Sequence, residues 1–350
     1  MKEHFSLLAV DVGAGTQDIL LYAEGKPLEN CVKLILPSQT EIFAGRIARA
    51  TDRGQNIFLC GNLMGGGPLT RALKRHLAAG LQVYATPYAA KTIRDDLHEV
   101  AALGVQIVEQ HPGAHCIGIY LQDVDLDNLR QALAFFDVEL PENVAVAVQD
   151  HGESIGKSNR KFRFEHWERF LVEGGKLSRL IYREVPPYLT RMRAVQEAIP
   201  GAFLMDTGAA AIRGALLDPP VAARQQAGVM VVNVGNQHVL AALIQGDRIW
   251  GIFEHHTRLM TPEKLQDYLA RFRQGAVTNE EVYADGGHGC ARLAETPDPA
   301  CFEFVAITGP RRRLAQDLGY FAVPGGDMML SGCFGLVASV REFLKTNQGE

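Results

Sequence analysis

Short apolar runs and glycine turns follow one another in the same order near both ends of the chain. The runs LLAVDV (7–12) and DILLY (18–22) predict two strands joined by the turn GAGTQ, and residues 31–36 predict a third strand. The same order of strand, glycine turn, strand, turn and strand restarts between residues 228 and 254. The pattern therefore predicts a duplicated structural unit.

The stretch between the two copies has a different pattern. From 56 to 149, short apolar runs alternate with segments of helical periodicity, which is typical of an α/β domain with a largely parallel sheet. Residues 68–79 predict a helix that begins at proline and is followed by glycine, and residues 89–103 predict another. Residues 328–344 predict a final helix.

Composition narrows the class of protein. A chain of 350 residues suggests about two domains. The net charge of -5 gives no indication of a nucleic-acid partner. The first apolar run stops at Asp11, no apolar stretch reaches the roughly 18 residues of a membrane span, and the six cysteines form no closely spaced pair. We expect a cytoplasmic protein with reduced thiols and no membrane contact.

Glycine accounts for 35 residues, and its first cluster has the composition of a phosphate-binding loop. Asp11 ends a predicted strand, and Gly13, Ala14, Gly15 and Thr16 follow. Backbone N–H groups of such a turn can bind phosphate oxygens, and an aspartate can hold Mg²⁺ through water. A plain hairpin turn explains one such loop equally well.

The second copy of the unit has a glycine turn at the matching place. Here Asn233 precedes Gly235, Asn236, Gln237 and His238. Two glycine hairpins that face each other across a cleft can clamp a triphosphate between two domains.

Five segments in this order resemble the actin-like ATPase superfamily, which includes actin, the seventy-kilodalton chaperones and sugar kinases. They are AVDVGAGTQD (9–18), DTGAAAIRGALLD (206–218), VVNVGNQHVLAALI (231–244), FVAITGPRR (304–312) and GGDMMLSGCFGLVASV (325–340). The resemblance implies an α/β fold of two ribonuclease-H-like domains with a central nucleotide cleft. It implies a first domain at 1–205 with an α/β insertion, a second at 206–326, and a C-terminal helix at 327–350 that packs back on the first.

The resemblance also implies ATP and Mg²⁺ as cofactors. It makes Asp11 the residue that organises Mg²⁺ and Asp206 a catalytic base, although Asp206 is equally well explained as a helix N-cap. The implied nucleotide contacts are Gly13, Ala14, Gly15, Thr16, Asn233, Gly235, Asn236, Gln237, His238, Thr308, Gly309 and Arg311. Asn233 stands where these ATPases usually have aspartate, so nucleotide binding is better supported than hydrolysis.

The segments 61–96, 149–154 and 254–257 are similar to a prokaryotic family often labelled "putative pyruvate formate-lyase-activating enzyme". A radical activase of that kind needs a C-x3-C-x2-C arrangement for its iron–sulfur cluster, and the chain has none. The resemblance therefore implies the fold and nucleotide binding, without radical chemistry.

Two further groups of residues are candidates for substrate binding. Gly65, Gly66 and Gly67 open a predicted helix, where a glycine loop makes a natural anion site. His151, His255 and His256 lie near predicted strand ends, together with further histidines and carboxylates, and such a group can also hold a transition metal. For each histidine alone, a structural role is the more common explanation.

The sequence thus favours a protein that binds nucleotide and Mg²⁺ together with an unknown small-molecule substrate. One hypothesis is a small-molecule kinase or ATP-dependent activator. A second is a nucleotide-binding sensor or switch with little turnover. A third is a metal-dependent hydrolase that uses the histidines.

Overall fold

The computed structural model describes residues 5–113, 115–154 and 156–347. Residues 1–4 and 348–350, which the predicted first domain and C-terminal helix include, lie outside the described residues.

The elements are numbered here in chain order. The strands are β1 Ser6–Val12, β2 Thr16–Ala23, β3 Val32–Pro37, β4 Asn56–Gly61, β5 Val83–Ala85, β6 Val105–Ile107, β7 Cys116–Leu121, β8 Val144–Val148, β9 Ile181–Tyr182, β10 Phe203–Met205, β11 Val229–Val234, β12 His238–Gln245, β13 Arg248–His256, β14 Gly289–Arg292, β15 Val305–Thr308 and β16 Tyr320–Phe321. The helices are α1 Gln39–Asp52, α2 Gly67–Ala78, α3 Pro87–Ala90, α4 Leu97–Ala102, α5 Leu126–Ala134, α6 Asn159–Val172, α7 Thr190–Ala198, α8 Thr207–Ala215, α9 Pro219–Ala222, α10 Pro262–Gln274, α11 Asn279–Ala284 and α12 Ser331–Asn347.

Two six-stranded sheets share one five-stranded order, β3-β2-β1-β8-β10 in the first and β13-β12-β11-β15-β16 in the second, and each has one further edge strand, β9 or β14. The first has the order β3-β2-β1-β8-β10-β9, and the second has the order β14-β13-β12-β11-β15-β16. In each sheet three consecutive strands form an antiparallel meander, and the first of them also pairs in parallel with a later strand, β8 or β15. This shared order is that of two ribonuclease-H-like units. The duplication predicted from the apolar pattern is confirmed, and the chain has the two-unit α/β architecture of actin-like ATPases.

The central strands are apolar because helices cover them. Leu7 of β1, Val231 of β11 and Leu336 of α12 belong to one buried cluster that joins both sheets. The helices α8 and α12 lie against each other within it, so closely that a side chain at Gly335 would overlap the carbonyl oxygen of Ala210. Small residues in both helices therefore allow the two units to share one core.

A third sheet lies in the insertion between β3 and β8. Its strands have the order β6-β5-β4-β7, and every pairing is parallel. The helix α2 has Pro68 in its first turn, and Gly80, at φ 79°, follows its end. The parallel sheet predicted for this part of the chain is confirmed, although β8 joins the first sheet instead.

The helix predicted for 89–103 is wrong in its extent. The structure has α3 and α4 there, separated by turns, because Asp96 caps a new helix by accepting a hydrogen bond from the His98 amide at 2.8 Å. The final helix begins at Ser331 rather than at Met328, and residues 328–330 form a single 3-10 turn.

Among the helices of the described residues, none combines the length and the apolar character that crossing a bilayer would need.

Candidate functional site

The two glycine turns have the same backbone geometry. In the first, the Gly13 amide donates to the carbonyl of Thr16 at 2.8 Å, and in the second the Gly235 amide donates to the carbonyl of His238 at 2.8 Å. The turns face each other, since a methyl group added at Gly15 would lie 3.2 Å from Nδ2 of Asn236. The order of strands thus brings together two loops that are about 220 residues apart in the sequence.

A cavity of about 310 Å³ lies between the units at these turns. Most of the predicted site residues line it: Asp11, Gly13, Ala14, Thr16, Gly65, Gly66, Gly67, His151, Asn233, Gly235, Asn236, Gln237, His238, Thr308 and Gly309. Its size is at the lower end of the range for small-molecule sites. The cavity is called the central cleft below.

Two carboxyl groups are buried at the base of the central cleft. Asp11 and Asp18 face each other in the pairing of β1 with β2. Burial raises the pKa of Asp11 to about 7, against a lowering by the Thr207 hydroxyl, which donates to Oδ1 at 2.5 Å. Burial and the neighbouring charge of Asp11 raise the pKa of Asp18 to about 8. Oδ1 of Asp18 is buried without a hydrogen-bond partner. Such a pair is suited to a bound cation.

Asp206 is held by other side chains. It caps α8 by accepting from the Gly208 amide at 3.0 Å, and both of its oxygens accept from Arg163, at 2.8 and 3.1 Å. The two interpretations of Asp206, a catalytic base and a helix N-cap, both place it at the start of α8, where the structure has it. Both carboxylate oxygens of Asp206 therefore already accept hydrogen bonds from groups of the protein.

Gly309 is explained by protein contacts. Its φ is 99°, and a side chain here would lie 2.5 Å from the carbonyl oxygen of Val234 and 2.6 Å from Oδ1 of Asn233. The position therefore needs glycine whether or not the adenine of a bound nucleotide lies nearby. The predicted contact Arg311 has an exposed side chain that is not among the lining residues, while its amide donates to the Val234 carbonyl at 3.0 Å.

The glycine loop before α2 forms another wall of the central cleft. A side chain at Gly66 would lie 2.6 Å from the carbonyl oxygen of Thr92, so the loop packs tightly against the insertion. Behind Gly65, Arg191 donates to Asp123 at 2.7 and 2.8 Å. A methyl group at Gly67 would lie 3.3 Å from Nε2 of Gln237, which places the loop beside the second hairpin.

His255 lies away from the central cleft, contrary to its prediction as a substrate contact. Successive residues of a strand point to opposite faces, so His255 faces away from Glu254 and His256. Its side chain is fully buried, with Nε2 3.0 Å from a carboxylate oxygen of Asp285, and its ring lies near Tyr268.

Residues 64–314, more than half of the chain, match the family described as "Putative pyruvate format-lyase activating enzyme (DUF1786)". The chain belongs to this family. No curated protein matches it.

Several solved structures are similar to this family member over most of its length. The ethanolamine utilization protein EutJ from Carboxydothermus hydrogenoformans has 11% identity and a TM-score of 0.31, with 94% of this chain and 88% of that chain covered. The apo psk41 ParM protein has 12% identity and a TM-score of 0.34, with 99% of each chain covered. The Aquifex aeolicus PPX-GPPA enzyme has 10% identity and a TM-score of 0.29, with 87% and 68% covered. The repeated sheet order itself establishes the fold.

Four histidine rings gather at the inner end of the central cleft of this family member. His288 lies with its ring centroid 5.0 Å from that of His151 and 4.7 Å from those of His238 and His256. Burial lowers the pKa of His238 to about 4 and also lowers that of His151, so these imidazoles are neutral. His256 packs against His238 without lining the central cleft itself.

Arg163 organises the charges beside these rings, and the sequence reasoning missed it. It is 3% exposed, and it donates to Glu254 at 2.6 Å, to Asp206 and to the backbone carbonyl of Asp150 at 2.8 Å. It thus ties α6 to both units. An arginine beside Phe164 in the apolar stripe of α6 was the available sign in the sequence.

Proposed function

We propose that the central cleft binds a nucleoside triphosphate, ATP in the first place, together with Mg²⁺. The observation that carries the proposal is the pair of matched glycine hairpins that face each other across the central cleft. The amides of Ala14 and Gly15, and of Asn236 and Gln237, are the candidate phosphate donors. The Thr16 side chain adds a hydroxyl.

The residues at the base of the central cleft fit a magnesium ion. Asp18 has a buried carboxylate oxygen with no partner, and Asp11 faces it, so a cation would relieve both the burial and the repulsion of the two charges. Mg²⁺ prefers one or two carboxylates, with water and phosphate oxygens completing its shell. When bound, it would neutralise phosphate charge.

The wall formed by Gly65–Gly67 and Gln237 is the proposed binding site of a second molecule beside the nucleotide. A glycine loop at the first turn of a twelve-residue helix favours an anionic group. A small-molecule kinase or an ATP-dependent activator would place its acceptor there. Arg191, held by Asp123, positions this loop from behind.

A nucleotide-dependent switch with little turnover is the second candidate, and two observations favour it. Asn233 supplies no charge at the second hairpin. The candidate base Asp206 has both carboxylate oxygens engaged by Arg163. In this case nucleotide binding would act by changing how the two units close on each other.

The cysteines of this chain do not suit the activity that the family's description names. The six cysteines lie on separate segments, and the sequence has no C-x3-C-x2-C triplet to hold the cluster of a radical activase. The cysteines therefore do not fit an iron–sulfur cluster of that kind.

The test is thermal unfolding of the full chain with and without millimolar Mg-ATP, combined with an assay of phosphate release. Wild type is compared with Asp11→Asn and with Asp127→Asn, a change at an exposed position of α5. We expect Mg-ATP to stabilise wild type and Asp127→Asn, and to stabilise Asp11→Asn less. Stabilisation with phosphate release supports an enzyme that transfers the phosphoryl group to water, whereas stabilisation alone supports either the switch or a kinase without its acceptor. No shift in wild type would overturn both.

A further inference from the structure

Three histidines from three separate segments meet at the inner wall of the central cleft. His151 follows β8, His238 begins β12, and His288 immediately precedes β14. One ring nitrogen from each lies within 4.8 Å of the other two. In the described part of the chain, this is the one group of three or more histidine, cysteine or carboxylate side chains close enough to share a metal ion.

His288 gives independent reason to expect a ligand. Its side chain is 1% exposed, and neither of its ring nitrogens has a hydrogen-bond partner. A buried polar atom without a partner has lost its hydrogen bonds to water and gained none, so an imidazole with both nitrogens unsatisfied destabilises the fold. Its ring lies against those of His151 and His238, and each of these two rings has a nitrogen that can bind the same metal ion. A shared metal ion would satisfy one nitrogen of each ring.

The surroundings also suit a metal site. Oε1 of Glu254 lies 4.0 Å from Nδ1 of His288, and Glu254 is itself held by Gln149 at 2.7 Å and by Arg163 at 2.6 Å. A carboxylate that accepts a hydrogen bond from the outer nitrogen of a histidine ligand orients its ring, and Glu254 is the fixed carboxylate beside His288 that a small movement of the ring would bring into this role. His151 and His238 line the central cleft, whereas His288 lies behind them.

We propose that His151, His238 and His288 bind one divalent transition metal of the zinc type, with its remaining position open toward the central cleft. Neutral imidazoles suit zinc, cobalt and nickel, and a set with no carboxylate oxygen excludes magnesium as the natural occupant. Zinc–nitrogen bonds of about 2.0–2.1 Å require the three nitrogens to close to roughly 3.3 Å from one another, a small inward movement.

Three protein ligands and an open position are typical of a metal that binds water or an oxygen atom of a substrate. The group that enters this position would be anionic, such as a carboxylate or a phosphate of the molecule bound beside the hairpins. None of the three histidines is among the residues assigned to Mg²⁺, and the metal would bind whether or not the nucleotide is present.

The experiment is a titration of chelator-treated full-length protein with Co²⁺ and with Zn²⁺, with no nucleotide present. Visible ligand-field absorption follows Co²⁺, and calorimetry follows Zn²⁺. We expect one ion per chain, and we expect His288→Gln to lower the affinity by at least about 100-fold, more than the loss of an outer-shell partner costs. His98→Gln, at an exposed position of α4, should leave affinity unchanged.

Two results would overturn the proposal. One is the lack of a one-to-one Co²⁺ complex in wild type, and the other is equal affinity in wild type and in the folded ligand variants. Circular dichroism checks folding, and His151→Gln, at a less buried position, carries the test if His288→Gln does not fold. Because nucleotide is absent throughout, a failure of ATP binding leaves this result unaffected.

Discussion

Asp11 and Asp18 are cross-strand neighbours, directly opposite each other on β1 and β2, and both carboxyl groups are buried. They flank the first glycine turn at equal distances along the chain, so the hairpin that presents amides to the central cleft also carries two acids at its base. Without a cation, burial favours the protonated forms and holds both pKa values near neutrality, with smaller contributions from the charge of Asp206 at Asp11 and from the charge of Asp11 at Asp18.

This pair gives the stability of the cation-free protein a pH dependence of predictable sign. In the unfolded chain both acids ionise near pH 4, whereas in the folded chain their pKa values are about 7 and about 8. The folded state therefore holds the protons longer. Stability contributed by the pair is complete below pH 4 and is lost as the pH rises to about 8. Asp18→Asn, which stays neutral, should be more stable than wild type at pH 8 by roughly 2–4 kcal/mol.

Urea denaturation in chelator at pH 5 and pH 8 measures this difference. The exposed Asp127→Asn is the control and should keep the wild-type slope with pH. Adding Mg²⁺ at pH 8 should stabilise wild type more than Asp18→Asn. An identical dependence on pH in wild type and Asp18→Asn would contradict the prediction.

Gly332→Ala is expected to destabilise the protein although it lies in the first turn of α12. A glycine in a helix is ordinarily improved by alanine, by about 1 kcal/mol. Here the added methyl group would overlap Oδ2 of Asp11. The change should lower the melting temperature by several degrees and reduce the stabilisation by Mg-ATP.

Ser339→Ala is the matched control in the same helix. Its hydroxyl is buried without a hydrogen-bond partner, so its removal should be neutral or slightly stabilising. Both variants introduce alanine into α12, and they differ in whether the new methyl group meets Asp11. Equal melting temperatures for the two would rule out a close approach of α12 to the first hairpin.

The strand-and-turn pattern could be predicted because it is local. Gly13 and Gly235 stand between apolar runs whose alternation and length specify strands, and the repeat of that order predicts two similar sheets. The parallel sheet of the insertion follows from the same kind of reasoning. The prediction of one helix over 89–103 is wrong because the Asp96 side chain caps the start of a new helix. Hydrophobic periodicity does not reveal such a hydrogen bond between a side chain and the backbone.

The polar network could not be predicted, because its members meet only in three dimensions. Arg163 and Glu254 are 91 residues apart, and nothing in the spacing of His151 and His288 indicates that their rings touch. His255 shows conversely that residues adjacent in the sequence need not belong to the same site. It is adjacent in sequence to Glu254, yet the pleat of β13 turns it to the opposite face.

Arg163→Met is expected to destabilise the protein strongly, by roughly 3–5 kcal/mol, since it leaves the buried carboxylates of Asp206 and Glu254 without their partner. Arg169→Met is the control. It lies in the same helix with an exposed side chain, and it should cost less than about 1 kcal/mol. Urea denaturation at pH 7 measures both.

A triple variant separates the loss of charge pairing from the loss of packing. If unpaired charge is the cause, Asp206→Asn and Glu254→Gln added to Arg163→Met should restore at least half of the lost stability, because the remaining groups are neutral. A triple variant no more stable than Arg163→Met would mean that Arg163 acts through packing against Trp167, whose ring centroid lies 5.5 Å from its guanidinium carbon.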